Sequence, residues 1–143
     1  MRLLSRTAFL AAIVSVVACS EASAPEPPVN FQLLRVNGNA LPATYPPPDG
    51  PTVLSGSLFL FADGRAIVNE RRRQLDGSEL VLTLDYTYVI TDNQIQFEDP
   101  RPCPPDAICA GPPKGTFSGS HLFVDYTGGY QGLVYEYSQW LPD

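Results

Sequence analysis

His121 is the only histidine in the chain, so any imidazole acid–base chemistry must run through it. It stands in the run HLFVDY, where it alternates with Phe123 and Asp125, and alternation places all three on one face of a strand. Four strand residues set His121 and Asp125 about 13 Å apart, too far for the hydrogen bond of a catalytic pair. Ser118 and Ser120 read as turn residues, and no Gly-x-Ser-x-Gly elbow holds a nucleophile. The carboxylates are scattered. Glu98 and Asp99 are adjacent, but strand neighbours face opposite ways, whereas glycosidic cleavage needs two carboxyls across a cleft. No EF-hand spacing occurs. The sequence therefore predicts no catalytic residue, no metal site and no cofactor: the chain reads as a non-enzyme.

Three further groups carry chemistry. Cys103 and Cys109 lie in the Pro-rich run DPRPCPPDAICAGPPK with five residues between them. With His121 they make too few ligands for a structural metal, so in an exported chain they read as a disulfide. Closing so short a loop stabilises by roughly 2 kcal/mol. Arg71, Arg72 and Arg73 form the one basic cluster, flanked by Glu70, Asp76 and Glu79, and read as a solvated hairpin end neutralised by those acids. Tyr86, Tyr88, Tyr126, Tyr130, Tyr135, Tyr137 and Trp140 are the richest resource. They either fill a barrel core or line an apolar cavity with polar tips. The candidate ligand-lining set is Leu82, Leu84, Tyr86, Tyr88, Tyr135 and Tyr137.

The elements that must position these residues are strands. In residues 79–98, ELVLTLDYTYVITDNQIQFE, Leu80, Leu82, Leu84, Tyr86, Tyr88 and Ile90 fall at every second position, a period of two with one buried face. Asp92-Asn93 interrupts the alternation and residues 94–98 resume it, a hairpin signature. Residues 80–90 would span roughly 36 Å, beyond the usual strand length, which predicts a bend or bulge near Asp85. Residues 56–61 and 65–70 flank Ala62-Asp63-Gly64, a second hairpin, with Leu58 and Leu60 on one face and Phe59 and Phe61 on the other. Residues 30–36, 115–118, 121–126 and 131–140 complete the set. Residues 41–53 hold five prolines, which excludes a central strand and predicts a stiff loop packed over one end of the sheet. Fifteen prolines and eleven glycines in 143 residues fit many turns and leave no room for crossover helices.

About eight sequential strands joined mostly by tight turns predict an all-β, up-and-down antiparallel barrel or half-barrel, with an antiparallel β-sandwich as the alternative. Eight is also the number at which a barrel interior either fills with side chains or holds one small ligand. The pieces VNGNALP, SLFLFADGRA and GTFSGSHLFVDY resemble the recurring segments of small bacterial lipocalin-like lipoproteins. The resemblance spans most of residues 30–140, rests on turn chemistry, and implies a β-barrel or half-barrel without implying an activity.

The N-terminus is an address. Arg2 and Arg6 precede a short apolar run too brief to cross a bilayer, the layout of a secretory signal. Val16-Val17-Ala18-Cys19 resembles the bacterial lipobox, which implies cleavage before Cys19 and a diacylglycerol on its sulfur. Ser20 rather than Asp follows it, and by resemblance to lipoprotein sorting this points to the outer membrane. The expected organisation is a signal peptide over 1–18, a Pro-rich flexible tether over 19–29, and a single β domain over 30–143. The net charge of −6 argues against nucleic acid as a partner. The expected function is an exported, membrane-anchored lipoprotein of the cell envelope. It would be a non-enzymatic binding or envelope-associated module holding a small hydrophobic ligand, or alternatively a protein-interaction or inhibitor module of the envelope.

Overall fold

A computed structural model of the 143-residue chain describes residues 24–101, 103–104, 111–126 and 132–141. All regular structure among them is strand: β1 (Val29–Val36), β2 (Asn39–Ala40), β3 (Ala43–Thr44), β4 (Thr52–Leu60), β5 (Arg65–Arg73), β6 (Glu79–Thr91), β7 (Gln94–Glu98), β8 (Lys114–Ser118), β9 (His121–Asp125) and β10 (Val134–Gln139). From β4 to β10 each strand pairs antiparallel with the next. β10 then pairs with β1, and β1 pairs with β4. Eight strands therefore close on themselves as an up-and-down barrel, with β2 and β3 as two short additions. The fold is the expected one, and it is consistent with a lipocalin-like barrel rather than a sandwich.

Closure happens at β1. Phe31 and Gln32 pair with β10 on one side and with Leu58 and Ser57 of β4 on the other. Beyond Gln32 the two strands separate. β1 turns through Asn37-Gly38 into β2, and β3 lies along the start of β4. The Pro-rich stretch 41–53 expected as a loop thus supplies one short strand, β3, and the start of β4, while β2 precedes it. Register shifts occur on both sides of the opening seam, between Leu33 and Arg35 in β1 and between Val53 and Ser55 in β4. Bulges of this kind bend strands. β6, where a bend was expected near Asp85, is thirteen residues long and keeps an unbroken register with β5 from Thr87 opposite Arg65 to Glu79 opposite Arg73. Curvature is concentrated at the seam because that is where the sheet must close.

The inner faces carry the core. Phe31, Leu33, Leu58, Leu60, Ala66, Val68, Ile95, Phe97, Phe117, Leu122, Val124, Tyr135 and Tyr137 are all buried in one cluster. At two inner positions a side chain would collide with that core. A Cβ on Gly56 would come within 2.9 Å of Leu33 Cδ2, and one on Gly115 within 2.8 Å of Ile95 Cγ2 and 2.9 Å of Leu122 Cδ1. These glycines leave room for large inward side chains of the neighbouring strands to pack over them.

The ends differ. One end carries the β4–β5, β6–β7 and β8–β9 turns, all tight, together with residues 24–28. The other carries the longer connections between β1 and β4, β7 and β8, and β9 and β10. Wall height differs too. β4 and β5 have nine residues and β6 thirteen, against five each for β7, β8 and β9. At about 3.4 Å per residue, β6 rises well above the β7–β9 rim at the loop-bearing end.

Gly115→Ala should lower stability by about 1–3 kcal/mol through overpacking against Ile95, Leu122 and the Phe123 carbonyl. Thr116→Ala, on the exposed face of the same strand, should change it by less than about 0.5 kcal/mol. Urea denaturation of both variants checks the pair.

Candidate functional site

The tall wall carries the site. On β5 the alternation Ala66, Val68, Glu70, Arg72 continues one inner face from apolar to charged residues. Glu70 is 6% exposed. A carboxylate so deep must be paired and hydrogen-bonded, and it is. The Arg72 guanidinium donates to it from Nε, and from Nη2 at 3.2 Å to Oε2. Tyr135 donates its hydroxyl to the same Oε2 at 2.7 Å. Arg72 Nη2 also approaches the Tyr135 hydroxyl at 3.5 Å. Burial lowers the Arg72 pKa, but the hydrogen bond to Glu70 and its charge outweigh that and raise it overall, so the guanidinium stays charged.

Tyrosines continue the network. The Tyr126 and Tyr137 hydroxyls lie 3.5 Å apart, and the rings of Tyr126 and Tyr135 meet at 4.9 Å between centroids. Burial raises the pKa of all three phenols. Near neutral pH they are therefore hydrogen-bond donors and acceptors, not bases or nucleophiles.

The wall beside this network is apolar and incompletely covered. Leu82 stands opposite Glu70, Leu84 opposite Val68, and Tyr86 opposite Ala66. All three are only half-buried, and Leu80, opposite Arg72, is 43% exposed. The reason is the unequal wall height. The described β6–β7 ladder covers residues 87–91, so residues 79–86 extend past it. Tyr86 stacks at a tilt on Phe97, 5.7 Å between centroids, and its pKa is raised by burial.

Of the six residues expected to line a ligand space, Leu82 and Tyr135 meet at Glu70, Tyr137 joins through Tyr126, and Leu84 and Tyr86 follow Leu82 along the same face. Tyr135 and Tyr137 are fully buried, so they form the floor rather than an accessible wall. Tyr88 is elsewhere. Its hydroxyl donates to the Phe61 carbonyl at 2.6 Å and pins the β4–β5 hairpin at the tight-turn end. Glu70 and Arg72 are absent from the expected set because three consecutive arginines flanked by acids read as one solvated cluster. For Arg71 and Arg73 that reading is right, since both pair with Glu79 on the outer face. The period of two, applied to Ala66-x-Val68-x-Glu70-x-Arg72, separates the middle arginine from its neighbours.

The other candidate groups stay apart from this site. His121 sits outside the barrel, its Nδ1 3.1 Å from Glu136 Oε1 without forming a hydrogen bond to it. Arg35 donates to the same carboxylate at 3.4 Å. Among the described residues no group of three or more His, Cys, Asp or Glu could hold a metal ion. Cys103 is exposed at the loop-bearing end, while Cys19 and Cys109 lie outside the described residues, as does Tyr130. No family model matches the chain, and no curated protein or solved structure matches it either.

The buried phenols set an alkaline limit. Their folded pKa values are raised above the ordinary value near 10, so their contribution is complete below pH 10 and is lost as pH climbs toward the folded values. Each group should steepen the loss by about 1.4 kcal/mol per pH unit in that window. Absorbance at 295 nm should show Tyr126, Tyr135 and Tyr137 ionising only as the barrel unfolds, and Tyr126→Phe should remove one proton from the step. Complete phenol ionisation near pH 10 in the folded state would contradict their burial. Tyr135→Phe should cost about 1.5–3 kcal/mol, the value of a hydrogen bond to a charged partner.

Proposed function

We propose that this chain is a non-enzymatic binding module of the bacterial cell envelope, and that its barrel takes a small hydrophobic ligand at the loop-bearing end. One observation carries the reading: the inner wall at Leu80, Leu82, Leu84 and Tyr86 is partly exposed, whereas inward residues of the other strands such as Leu58, Leu60, Ile95 and Leu122 are buried. The ligand's apolar body lies along that wall. A hydrogen-bonding head reaches the partly exposed Arg72, and because Glu70 already balances Arg72 the head needs no net charge. A few placed polar groups at the end of an apolar wall are the usual makeup of small-molecule sites.

Location belongs to the same proposal. Residues 1–18 export the chain, lipid on Cys19 anchors it, and residues 19–29 tether the barrel to the membrane, the outer one by resemblance. Cys103 is held as a disulfide cysteine, which supports pairing with Cys109 in an oxidising compartment. The second reading, a protein-interaction or inhibitor module, draws on Leu75, 76% exposed at the tip of the β5–β6 hairpin.

Native mass spectrometry of gently extracted full-length protein should show an adduct of fixed mass. Leu82→Gln, which places an amide on the half-buried wall, should remove most of it while the circular dichroism spectrum is kept. A wild-type protein without any adduct would overturn the ligand reading. Separately, Cys19→Ser should abolish palmitate incorporation and release the protein from membranes, and retention on membranes would overturn the anchor.

A further inference from the structure

The outer surface holds a second hollow, on the outer face of the same tall wall and independent of the ligand reading above. Strand register aligns one uncharged polar residue per strand across it. Gln32 of β1 is opposite Ser57 of β4, Ser57 is opposite Asn69 of β5, and Asn69 is opposite Thr83 of β6. Paired residues share a face, so the four side chains form a row perpendicular to the strands on the outside of the barrel. The row extends past β1 to Ser138 of β10. Over Gln32, Ser57 and Asn69 of this row lies an open hollow of about 450 Å³, walled by Trp140 at one side and by Val81 and Arg71 at the other.

The chemistry of the hollow is specific. Trp140 is 57% exposed and lines the hollow together with Gln32, and its backbone N–H donates to the Asn30 carbonyl at 2.8 Å, which ties this end of the chain to β1. Thr83 donates to Asn69 Oδ1 at 2.9 Å, which orients that amide and leaves its NH₂ to donate outward. Arg71, the cation at the edge, is already bound to Glu79, so the lining is close to neutral. The hollow lies beside the seam, where β1 leaves β4 just past Gln32 and both strands shift register.

We infer that this hollow is a binding site for a neutral oligosaccharide, a chain of β1,4-linked pyranoses. Such rings have flat C–H faces with partial positive charge, which suit the electron-rich face of an exposed indole. Their hydroxyls both donate and accept, as do amides and hydroxyls and unlike free cations or carboxylates. The ladder spacing of about 4.8 Å between Gln32, Ser57 and Asn69 offers repeated hydrogen-bonding partners along an extended ligand. A phosphorylated or acidic ligand would meet no unpaired cation among the described residues lining the hollow, since Arg71 is the one cation there.

Trp140 is the only tryptophan in the chain, so its emission reports on this hollow directly. Detergent-solubilised full-length protein should be titrated with chitotetraose and with cellotetraose, and with tetragalacturonate as the charged control. Binding predicts a saturable shift in emission with one or both neutral tetrasaccharides and none with tetragalacturonate. A Gln32→Ala, Asn69→Ala double variant should weaken that binding at least tenfold with an unchanged circular dichroism spectrum. Trp140→Ala, followed by calorimetry because it lacks the reporter, should weaken it by a similar factor. No saturable shift with either neutral sugar, equal response to the charged control, or full affinity in the double variant would each overturn the assignment.

Discussion

The pairing of β1 with β4 is the constraint on which the rest of this structure depends. Without it, the six ladders between consecutive strands from β4 to β10, with β1 on β10, would form an open sheet with two exposed edges, each a row of unsatisfied backbone groups. With it, those edges bond to each other and the interior becomes enclosed. The contact is short, Val29 to Gln32 against Leu60 to Ser57, because further along, the same edge of β1 pairs with β2 at Arg35 and Val36. Two bulges and the β2–β3 excursion follow from that double duty. So does Gly56, whose inner face Leu33 occupies next to the seam.

Enclosure also explains how an acid, a base and three phenols share one interior region. An unpaired carboxylate at the depth of Glu70 would be strongly destabilising. Arg72 two residues along the same strand face neutralises it, and Tyr135 from the opposite part of the barrel fills a further lone pair. The pair is local and the hydroxyl is long-range, 65 residues away in sequence. Register between walls is therefore tied to a directional contact as well as to apolar packing. Replacing any one member leaves the others buried without their partner, which makes the network costly to disturb in parts.

Most of the architecture could be read from residue order because alternation and turn chemistry are local. The hairpins at Asp63-Gly64 and Asp92-Asn93 and the long alternation of β6 needed no knowledge of distant residues. What could not be read was where the sheet would curve. The great length of β6 suggested a bend near Asp85, yet its ladder to β5 is uninterrupted and the bulges fall at the seam, set by a pairing between strands that are distant in sequence. The candidate site divides in the same way. The inner face of β6 followed from its period. Glu70 and Arg72 are equally periodic, but charge argues for water until a partner across the barrel is known. The row from Gln32 to Thr83 had no local signal, because each member sits on a different strand.

Unequal strand length turns this barrel from a plain packing unit into one with two surfaces to offer. Had β7, β8 and β9 matched β6, the inner face at Leu80, Leu82 and Leu84 would oppose another wall and be buried as Ile95 and Leu122 are. With only five residues each, they close the tight-turn end and leave the tall wall uncovered by strands above their rim. The same tall strands, β4, β5 and β6, carry Ser57, Asn69 and Thr83 on their outer face at residues offset by one from the inner set. In a β-strand a one-residue offset changes face, so a single tall wall presents apolar side chains inward and a neutral polar row outward. A substitution that slipped its register by one residue would exchange the two faces and destroy both surfaces together. The nine-residue ladder between β5 and β6, the longest in the barrel, is what opposes that slip.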